Sequence, residues 1–457
     1  MTTAVETFDT LRGKLTGTLA LPGDPQYPAL ATGFNVAVTP KPLAVVEAAD
    51  ERDVAETVRF AAATGHAIAV QATGHGLVDP LEDAILVLTG RLGECVVHPE
   101  GWARVGAGVR WQQVIDAAAP HGLAPLSGSA PGVGVVGYTT GGGLGPVART
   151  FGWASDRVRA VEIVTGDGEL RRATPDEEPD LFWGVRGGKG ALGIVTAIEF
   201  DLIPLTTLYA GALYFAAADA ATVVHTWREW SASLSRAATT SLAFLQLPNA
   251  PGVPEPLAGK FTVAVRFAWT ESAESGQAAL TPLRAAATPV VDAVQTIPYT
   301  AIGMIHSDPA DPMPFSEKAG LLSAFPAEAA DALLAAAGPE SGSPQVIVEL
   351  RQLGGALAEA GEHPSALCHR DAGYSLILIG VPVPPVLPLL GPHAASVFTA
   401  LDPWVTGGAL PNVGSGTGAE RIARSYDPAT LERLTAIADR YDPANVFRAG
   451  QVPVRRA

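Results

Sequence analysis

One histidine lies between two glycines, directly after a short apolar stretch that is typical of a strand. The apolar stretch is Ala67–Val70, and the turn after it consists of Gln71, Ala72, Thr73, Gly74, His75 and Gly76. Because glycine has no Cβ and tolerates unusual dihedral angles, the N–H groups of such a turn can approach an anion closely. The imidazole beside that anion can coordinate, titrate or be alkylated. The segment therefore predicts an anion-binding turn that carries a reactive side chain.

A second candidate binding segment follows about 50 residues later in the chain. Residues 126–145 contain eight glycines and no charged side chain. A long uncharged loop of this kind suits a flat aromatic ligand that leaves little room around it, whereas the histidine turn suits a pyrophosphate. Together the two segments are typical of a flavin dinucleotide that lies along a groove built from loops.

Two familiar nucleotide-binding patterns occur in the chain, but their surroundings are wrong. Gly132–Gly137 matches GxGxxG and Asp156 lies about 20 residues beyond it, yet we expect neither a preceding strand nor a following helix. Lys189 lies between Gly188 and Gly190, but Trp183 occupies the position of the first glycine of a P-loop, so a Walker A loop is excluded. Neither HExxH nor GxSxG occurs, so a zincin and an α/β-hydrolase have no support.

Six motifs in order resemble the FAD-linked oxidases of the vanillyl-alcohol oxidase superfamily, and within it the berberine-bridge-enzyme-like branch. Residues 71–76 resemble the pyrophosphate loop of that family, and residues 131–145 resemble its isoalloxazine loop. Residues 181–196 are similar to its Leu-Phe-Trp-x-x-Arg-Gly-Gly…Gly-Ile-Val-Thr segment. The remaining matches are 349–356 and 369–371 in the substrate region and 441–448 near the C-terminus, which resembles Tyr-Asp-Pro-x-Asn-x-Phe-Arg.

The resemblance implies an α+β protein with a two-part FAD-binding domain of the PCMH type, residues 1–205 and 415–457. The intervening residues 206–414 would form a substrate-binding domain with an antiparallel sheet covered by helices. It also implies that FAD is bound covalently through its 8α-methyl group to His75. The expected cofactor contacts are Gln71, Ala72, Thr73, Gly74, His75, Gly76, Ala130, Pro131, Val133, Gly134, Gly137, Gly141, Gly142, Gly193, Ile194, Val195 and Asn445.

This chain departs from the pattern of that family at three informative positions, the first of which is Gln71, where the family's pyrophosphate loop begins with an arginine. Relatives with two covalent links carry a cysteine where this chain has Ala130, so we expect His75 to be the single link and no cysteinyl link to form. Relatives often carry Tyr-x-Asn near the C-terminus, with the tyrosine as catalytic base, whereas this chain has Leu410 followed by Pro411 and Asn412. Val133 resembles the form of the loop found in oxidases, which favours O₂ as the electron acceptor.

Without that tyrosine, other side chains must handle the proton that leaves the substrate. Side chains alternate along a strand, so Glu349 and Arg351 share one face of the strand predicted over 345–353. Glu349 is the leading candidate for base or substrate anchor, and Arg351 for its charge partner or a carboxylate clamp. A structural ion pair is the alternative. Tyr138 could hydrogen-bond the flavin or act as an acid, and Asn412 could touch flavin or substrate.

The elements that must position these side chains follow from hydrophobic periodicity. We predict a strand, a helix and a strand over residues 42–70, strands at 85–88 and 103–108, a helix over 111–119, and strands at 161–165 and 193–201. After residue 206 we predict strands at 208–215 and 345–353, a helix over 220–233, a connection over 381–392 and a helix over 429–440. His369 and Arg370 are more suited to a structural role.

Composition restricts the class of protein and its partners. The 457 residues carry a net charge of −16, which disfavours binding to nucleic acid or anionic membranes. Two distant cysteines, Cys95 and Cys368, exclude a disulfide framework and a cysteine-based zinc site, and no metal is expected. The first residues show no signal peptide, and no apolar run is long enough to span a membrane. We expect a cytoplasmic monomer or homodimer.

The sequence therefore predicts an FAD-dependent oxidase that acts on a small molecule. It would oxidise a C–O or C–N bond, or drive an oxidative cyclisation, and reduce O₂. The composition, rich in Ala, Gly and Pro, suits a high-GC bacterium and a role in specialised metabolism. Two alternatives stay open: a non-redox cyclase that keeps FAD as a scaffold, and a ligand-binding protein without catalysis.

Overall fold

The computed structural model describes residues 7–77, 79–414 and 418–449, and these ranges contain three β-sheets with helices packed against them. Residues 1–6, where we looked for a signal peptide, lie outside the described residues, as do 415–417 and 450–457 of the expected C-terminal segment. The strands are β1 (Thr18–Ala20), β2 (Ala44–Glu47), β3 (Ala67–Gln71), β4 (Ala84–Leu88), β5 (Cys95–His98), β6 (Trp102–Gly106), β7 (Val158–Val164), β8 (Leu170–Ala173), β9 (Ile194–Asp201), β10 (Thr207–Ala216), β11 (Ala238–Gln246), β12 (Phe261–Trp269), β13 (Val291–Asp292), β14 (Gln295–Pro298), β15 (Ser316–Leu322), β16 (Ile347–Gln352) and β17 (Tyr374–Gly380).

The helices range from short turns of four residues to helices of 14 residues. They are α1 (Phe8–Arg12), α2 (Tyr27–Ala31), α3 (Glu51–Thr64), α4 (Trp111–Ala118), α5 (Val135–Thr139), α6 (Ala148–Phe151), α7 (Pro179–Gly188), α8 (Ala220–Ser233), α9 (Ala273–Ala286), α10 (Ala327–Ala337), α11 (Leu387–Ala400), α12 (Ala419–Ser425) and α13 (Pro428–Tyr441). None of these helices has both the length and the apolar character needed to cross a bilayer.

The first sheet positions the histidine turn. Its strand order is β1-β2-β4-β3, with β2, β4 and β3 parallel, and α3 connects β2 to β3 as the predicted strand-helix-strand unit requires. The Asp50 side chain caps the start of α3, and Gly65 ends the helix in a left-handed conformation with φ +77°. Strand β3 then ends at Gln71, so the turn emerges at the carboxyl edge of the parallel strands.

The second sheet is antiparallel, with strand order β5-β6-β9-β7-β8. Val164 of β7 and Ile194 of β9 pack into the same core as α3 and the first sheet. Val446 and Phe447 from the C-terminal segment enter this core as well. The two N-terminal sheets and the C-terminal segment therefore share one hydrophobic core.

The third sheet has eight antiparallel strands, seven of them in the order β13-β10-β12-β11-β16-β17-β15, with β14 paired to β10. One face is apolar and covered by helices: Trp227 of α8 packs there with Leu242 and Leu350. Because side chains alternate along a strand, the neighbours of Leu350 point the other way. Glu349 and Arg351 therefore share the face opposite these helices, as predicted, and this face is turned towards the glycine-rich loop.

Two local predictions were wrong. A short helix, α5, follows Gly134 directly, although we expected no helix there. It is preceded by a single bridge between Arg110 and Gly134 rather than a strand, so no β-α unit of the dinucleotide type forms. The stretch 381–392, predicted as a connection, contains the start of α11. Its Pro388 does not prevent the helix, since proline is tolerated in the first turn.

One buried carboxylate shapes the C-terminal segment that packs against the first sheet. Asp442, at the end of α13, accepts hydrogen bonds from the backbone N–H groups of Val446 at 2.9 Å and Phe447 at 3.1 Å. The carbonyl of Val446 in turn accepts from the N–H of Ile68 on β3 at 2.8 Å. Asp442 therefore shapes the loop that docks Phe447 beside the histidine turn.

We predict that Asp442→Ala lowers the free energy of unfolding by about 2–3 kcal/mol, because it leaves buried N–H groups without an acceptor. Chemical denaturation followed by circular dichroism measures this change. The exposed Glu432 on the same helix supplies the matched control, and Glu432→Ala should change stability by less than about 0.5 kcal/mol. Equal effects of the two substitutions would contradict the role assigned to Asp442.

Candidate active site

A cavity of about 460 Å³ lies where the histidine turn, the glycine-rich loop and the third sheet meet. The predicted cofactor residues that line it are Gln71, Ala72, Thr73, Gly74, His75, Gly76, Ala130, Val133, Gly134, Gly137, Gly141, Gly193 and Val195. Of the predicted catalytic residues, Tyr138, Arg351 and Asn412 line it. Segments far apart in the chain thus meet around one space whose size is typical of a ligand site.

The histidine turn depends on a close approach of two backbone segments. Gly74 has φ +78°, and a Cβ on it would lie 2.4 Å from the Cα of Gly33 and 2.7 Å from the nitrogen of Phe34. Only glycine fits this position without displacing the neighbouring chain. Within the described residues, the N–H groups of Gly74, His75 and Gly76 have no hydrogen-bond acceptor, so they remain available to an anion.

The imidazole of His75 is oriented by two neighbours. It stacks on the ring of Phe34, with 3.9 Å between the ring centroids, and its Nδ1 lies 2.8 Å from the hydroxyl oxygen of Thr73. Burial, together with the positive charge of Arg110, lowers the pKa of His75 to about 4. The ring is therefore neutral at physiological pH, which is the form of histidine that acts as a nucleophile.

Three glycines of the loop leave a slot for the ring of Tyr138. A Cβ on Gly128 or Gly143 would lie 2.9 or 2.6 Å from ring carbons of Tyr138, and one on Gly145 would lie 3.1 Å from its hydroxyl. That hydroxyl is buried and finds no hydrogen-bond partner within the described residues. Burial and the nearby Tyr299 raise the pKa of Tyr138 above its usual value, so the phenol stays protonated and can donate a hydrogen bond.

Glu349 lies at the centre of a buried ionic cluster on the third sheet. Its Oε1 accepts from Ser241 and from Arg266, both at 2.7 Å, and lies 3.4 Å from Nε2 of His306. Its Oε2 accepts from Arg351 at 2.9 Å. Burial alone would raise the pKa of Glu349, but Arg351 and Arg266 outweigh it and hold this pKa well below the usual value.

This arrangement does not favour the expected role of Glu349 as a base. A carboxylate whose pKa is strongly lowered takes up a proton poorly, and Glu349 is not among the residues that line the cavity. Arg351 does line the cavity. Glu349 binds the Nε and Nη2 atoms of Arg351, so within the described residues Nη1 takes no part in these contacts. Glu349 therefore fixes a cation at the cavity wall.

His306 and Arg266 were not singled out from the sequence. Arg266 is the one charged residue in the apolar strand β12, a signal that could have identified it. His306 follows the short 3-10 helix Tyr299–Ile305, and its sequence surroundings carry no such signal. Burial, then Arg266, lowers the pKa of His306, so the cluster of two arginines, one glutamate and a neutral histidine has a net positive charge.

Four predicted cofactor residues do not line the cavity. Pro131 offers its carbonyl to the N–H of Gln112, and Gly142 serves a backbone turn with φ +102°. Ile194 is buried in the core shared by the first two sheets. Asn445 has φ +52° and shapes the loop after α13. These residues support the loops that reach the cavity. A motif match cannot show whether a residue supports such a loop or contacts the ligand.

Asn412 and two residues that sequence reasoning missed complete the wall. The amide of Asn412 donates to the backbone oxygen of Tyr138 at 2.7 Å and so joins the C-terminal part of the cavity to the glycine loop. Lys189 and Glu317 line the cavity beside it. Lys189 lies in the Gly-Lys-Gly stretch whose surroundings exclude a P-loop. Glu317 lies on β15 at the edge of the third sheet.

The positions at which this chain departs from the family pattern lie in or near the cavity. Leu410 lines it and is buried, so the place expected for a catalytic tyrosine is apolar. Ala130 also lines it, while neither Cys95 nor Cys368 is among the lining residues. Arg370, predicted to be structural, donates to both carboxylate oxygens of Asp156, at 2.9 and 2.6 Å.

The residues present fit an FAD molecule. The turn at Gly74 offers N–H groups to a pyrophosphate, and the glycine loop offers an uncharged surface to a flat ring system. Two lining residues carry buried polar atoms that find no partner in the described part of the protein: the Oε1 of Gln71 and the hydroxyl of Tyr138. Such atoms are costly to leave unpaired, so a polar ligand in this space would stabilise them.

Comparison with known proteins agrees with this fit. Residues 42–174 match the FAD binding domain family. The chain is 27% identical to (R)-6-hydroxynicotine oxidase of Paenarthrobacter nicotinovorans, in an alignment that covers 94% of this chain and 95% of that protein. It is 32% identical to the FAD-dependent monooxygenase tpcD of Cochliobolus heterostrophus over 197 residues, 40% of this chain and only 38% of that protein.

Solved structures share the fold over almost the whole chain. The BBE-like 1 protein of Physcomitrella patens superimposes with a TM-score of 0.83 at 19% identity, covering 99% of this chain and 100% of that one. Glucooligosaccharide oxidase of Acremonium strictum, with its 6-S-cysteinyl, 8α-N1-histidyl FAD, gives 0.83 at 19% identity and covers 98% and 100%. With an FAD binding domain over residues 42–174 and a similarity to an oxidase over most of its length, the chain is an FAD-linked oxidoreductase, and it has the fold of these two structures.

Proposed function

We propose that this protein is an FAD-linked oxidase that takes a hydride from a carbon bearing a hydroxyl group and passes the electrons to O₂. The observation that carries the proposal is that two residues with donor side chains, Arg351 and Tyr138, line the cavity. FAD, when bound, supplies the two-electron acceptor for such a reaction. We propose a small-molecule substrate of bacterial specialised metabolism.

We propose that cofactor binding and substrate binding belong to two different parts of the chain. Residues 1–205 and 415–457 would hold FAD, and residues 206–414 would bind the substrate. The turn at His75 and the glycine loop belong to the first part, while Arg351 comes from the second. The reacting carbon would therefore lie between the two parts, out of bulk water.

We propose a single covalent bond to the flavin, from His75. The neutral imidazole of His75 lines the cavity, which supports nucleophilic attack on the 8α-carbon. The position used for a second, cysteinyl link carries Ala130, and the two cysteines of the chain lie elsewhere. The related oxidase from Acremonium with two links differs from this chain in that respect.

On the substrate side, the charges favour an oxygen over a cationic amine. Arg351 belongs to a cluster with a net positive charge, and Tyr138 is a neutral donor. Donors placed where negative charge develops stabilise the transition state, so these two groups would stabilise an alkoxide oxygen while hydride leaves the carbon that bears it. Glu349 acts through Arg351 as a positioning residue. Val133 at the cavity wall is compatible with access of O₂.

A non-redox cyclase that retains FAD as a scaffold is the second candidate. Leu410 replaces the ionisable residue that relatives use, and neither Glu349 nor Tyr138 has a pKa suited to a base. If the Tyr138 phenol acted as a general acid in a cyclisation, that reaction would need no electron transfer. The redox and non-redox functions differ in whether the flavin is reduced by the substrate.

We predict that His75→Ala abolishes the covalent link. Acid-precipitated wild-type protein should remain yellow, and the pellet of the variant should be colourless, with any flavin in the supernatant. Absorbance of pellet and supernatant near 450 nm measures this directly. His66, outside the cavity, supplies the control, because His66→Ala should keep the colour in the pellet. A colourless wild-type pellet would contradict the covalent link but not FAD binding.

We predict that Glu349→Ala lowers the free energy of unfolding by about 3–5 kcal/mol, since it leaves Arg266 and Arg351 buried without their counter-ion. Denaturant unfolding of the holoprotein measures the change. Glu359, which pairs with Arg236 at the surface, provides the comparison, and Glu359→Ala should cost less than about 1 kcal/mol. A small effect at Glu349 would show that the cluster is not the buried unit described above.

We predict that Arg351→Met slows substrate-driven reduction of the flavin about 10²–10³-fold, because it removes one donor from the developing oxyanion. Anaerobic stopped-flow absorbance follows the bleaching, with candidate alcohols as substrates. Arg236→Met, at the surface, should leave the rate unchanged. Turnover of a substrate by the wild-type protein without bleaching would favour the cyclase over the oxidase.

A further inference from the structure

Lys189 is held in an unusual backbone conformation at the end of α7. It has φ +55°, in the left-handed region, and Gly187, two residues before it, has φ +122°. The N–H groups of Gly187 and Lys189 both donate to the carbonyl of Thr140 in the glycine loop, at 2.8 and 3.2 Å. A side chain in this region costs free energy that glycine would avoid, and such strain is concentrated at functional sites. The position therefore calls for a functional explanation of its side chain.

The side chain of Lys189 meets Asn412 at one point of the cavity wall. A Cβ on Gly141 would lie 2.8 Å from Cε of Lys189 and 2.1 Å from Oδ1 of Asn412, so the absence of that atom is what lets the two side chains reach the cavity. Asn412 is itself held by the backbone of Tyr138. Three elements distant in the sequence thus place an amino group and an amide beside the cofactor site.

Charges on neighbouring elements leave this amino group poised between its two forms. Burial, and then the positive charge of Arg421 on α12, lower the pKa of Lys189 to about 7, and the negative charge of Glu317 on β15 opposes them. Glu317 is half-buried, accepts the N–H of Gly414, and has a pKa that is raised because its carboxylate is shielded from water. Arg351 on β16 acts on Glu317 in the opposite direction. The cation is therefore present below about pH 7 and is lost as the pH rises.

We propose that Lys189 sets the charge of the cofactor site: its ammonium group pairs with the negative charge that the cofactor gains on reduction. A hydride delivers two electrons and one proton, so reduction by hydride transfer adds one negative charge to the cofactor. Lys189 balances that charge without giving up its own proton, and Glu317 is its counter-ion in the oxidised state. The proposal rests on FAD in this cavity and not on the identity of the substrate.

The test uses sulfite, a nucleophile that adds to oxidised flavin and leaves a negative charge on it. We expect Lys189→Met to raise the sulfite dissociation constant at pH 6 at least 10-fold. The same factor corresponds to a reduction potential lower by about 30 mV for a two-electron couple. Lys189→Arg should restore the affinity to within about threefold. The wild-type affinity should fall between pH 6 and 8 more steeply than that of Lys189→Met.

Lys318 supplies the matched control, because it is exposed and lies next to Glu317 on β15. Lys318→Met removes the same formal charge from the chain and should leave sulfite affinity and potential within twofold of the wild type. Lys189→Gly gives a second variant without the charge and relieves the backbone strain, so a folding defect in Lys189→Met would not prevent the test. It should weaken sulfite binding to the same extent.

Two outcomes would overturn the proposal. Sulfite affinity and potential in Lys189→Met or Lys189→Gly within twofold of the wild type would show that the ammonium group does not act on the flavin charge. Loss of FAD with an unchanged potential in the flavin that remains would show that Lys189 only retains the cofactor. Neither measurement needs the substrate, so a failure here is distinct from a failure of the oxidase proposal.

Discussion

The cavity exists because glycines let backbone segments approach more closely than any other residue allows. Gly74 touches the backbone at Gly33, and Gly141 leaves the space in which Lys189 and Asn412 meet. A Cβ at either position would lie well inside van der Waals contact with its neighbours. Since protein interiors are close-packed, the loops could not relax around such an atom without moving the walls of the site. The positions of His75, Tyr138 and the third sheet all depend on this constraint.

The second determining feature is the distribution of charge over the two sides of the cavity. On the sheet side, Glu349 holds Arg266 and Arg351 in place and is itself prevented from taking up a proton. On the side of the glycine loop, Lys189 carries a cation that depends on pH. Buried charges are stable only when they are paired, so each group constrains its neighbours. The site therefore separates anchoring groups from groups whose charge can change.

On the proposed function, this separation would explain how the chain dispenses with a tyrosine base at Leu410. If two donors stabilise the oxygen of the substrate, its proton becomes acidic enough to leave without a dedicated strong base. The phenol of Tyr138 and the guanidinium of Arg351 come from different parts of the chain, so the donor pair exists only in the folded protein. The same dependence on folding holds for His75, which becomes a neutral nucleophile because burial disfavours its charged form.

The sequence alone determined the local elements and the order of motifs. Periodicity located the strand-helix-strand unit around Asp50 and Gly65 and the shared face of Glu349 and Arg351, because these depend on neighbours in the chain. It could not show that Glu349 is enclosed by Arg266 and His306, which lie 83 and 43 residues away and meet it only across paired strands and a loop. Nor could it separate Val195, at the cavity wall, from Ile194, in the core, since one residue along a strand reverses the direction of the side chain. The tertiary structure alone decided which residues face the cavity and what protonation state burial imposes on Lys189.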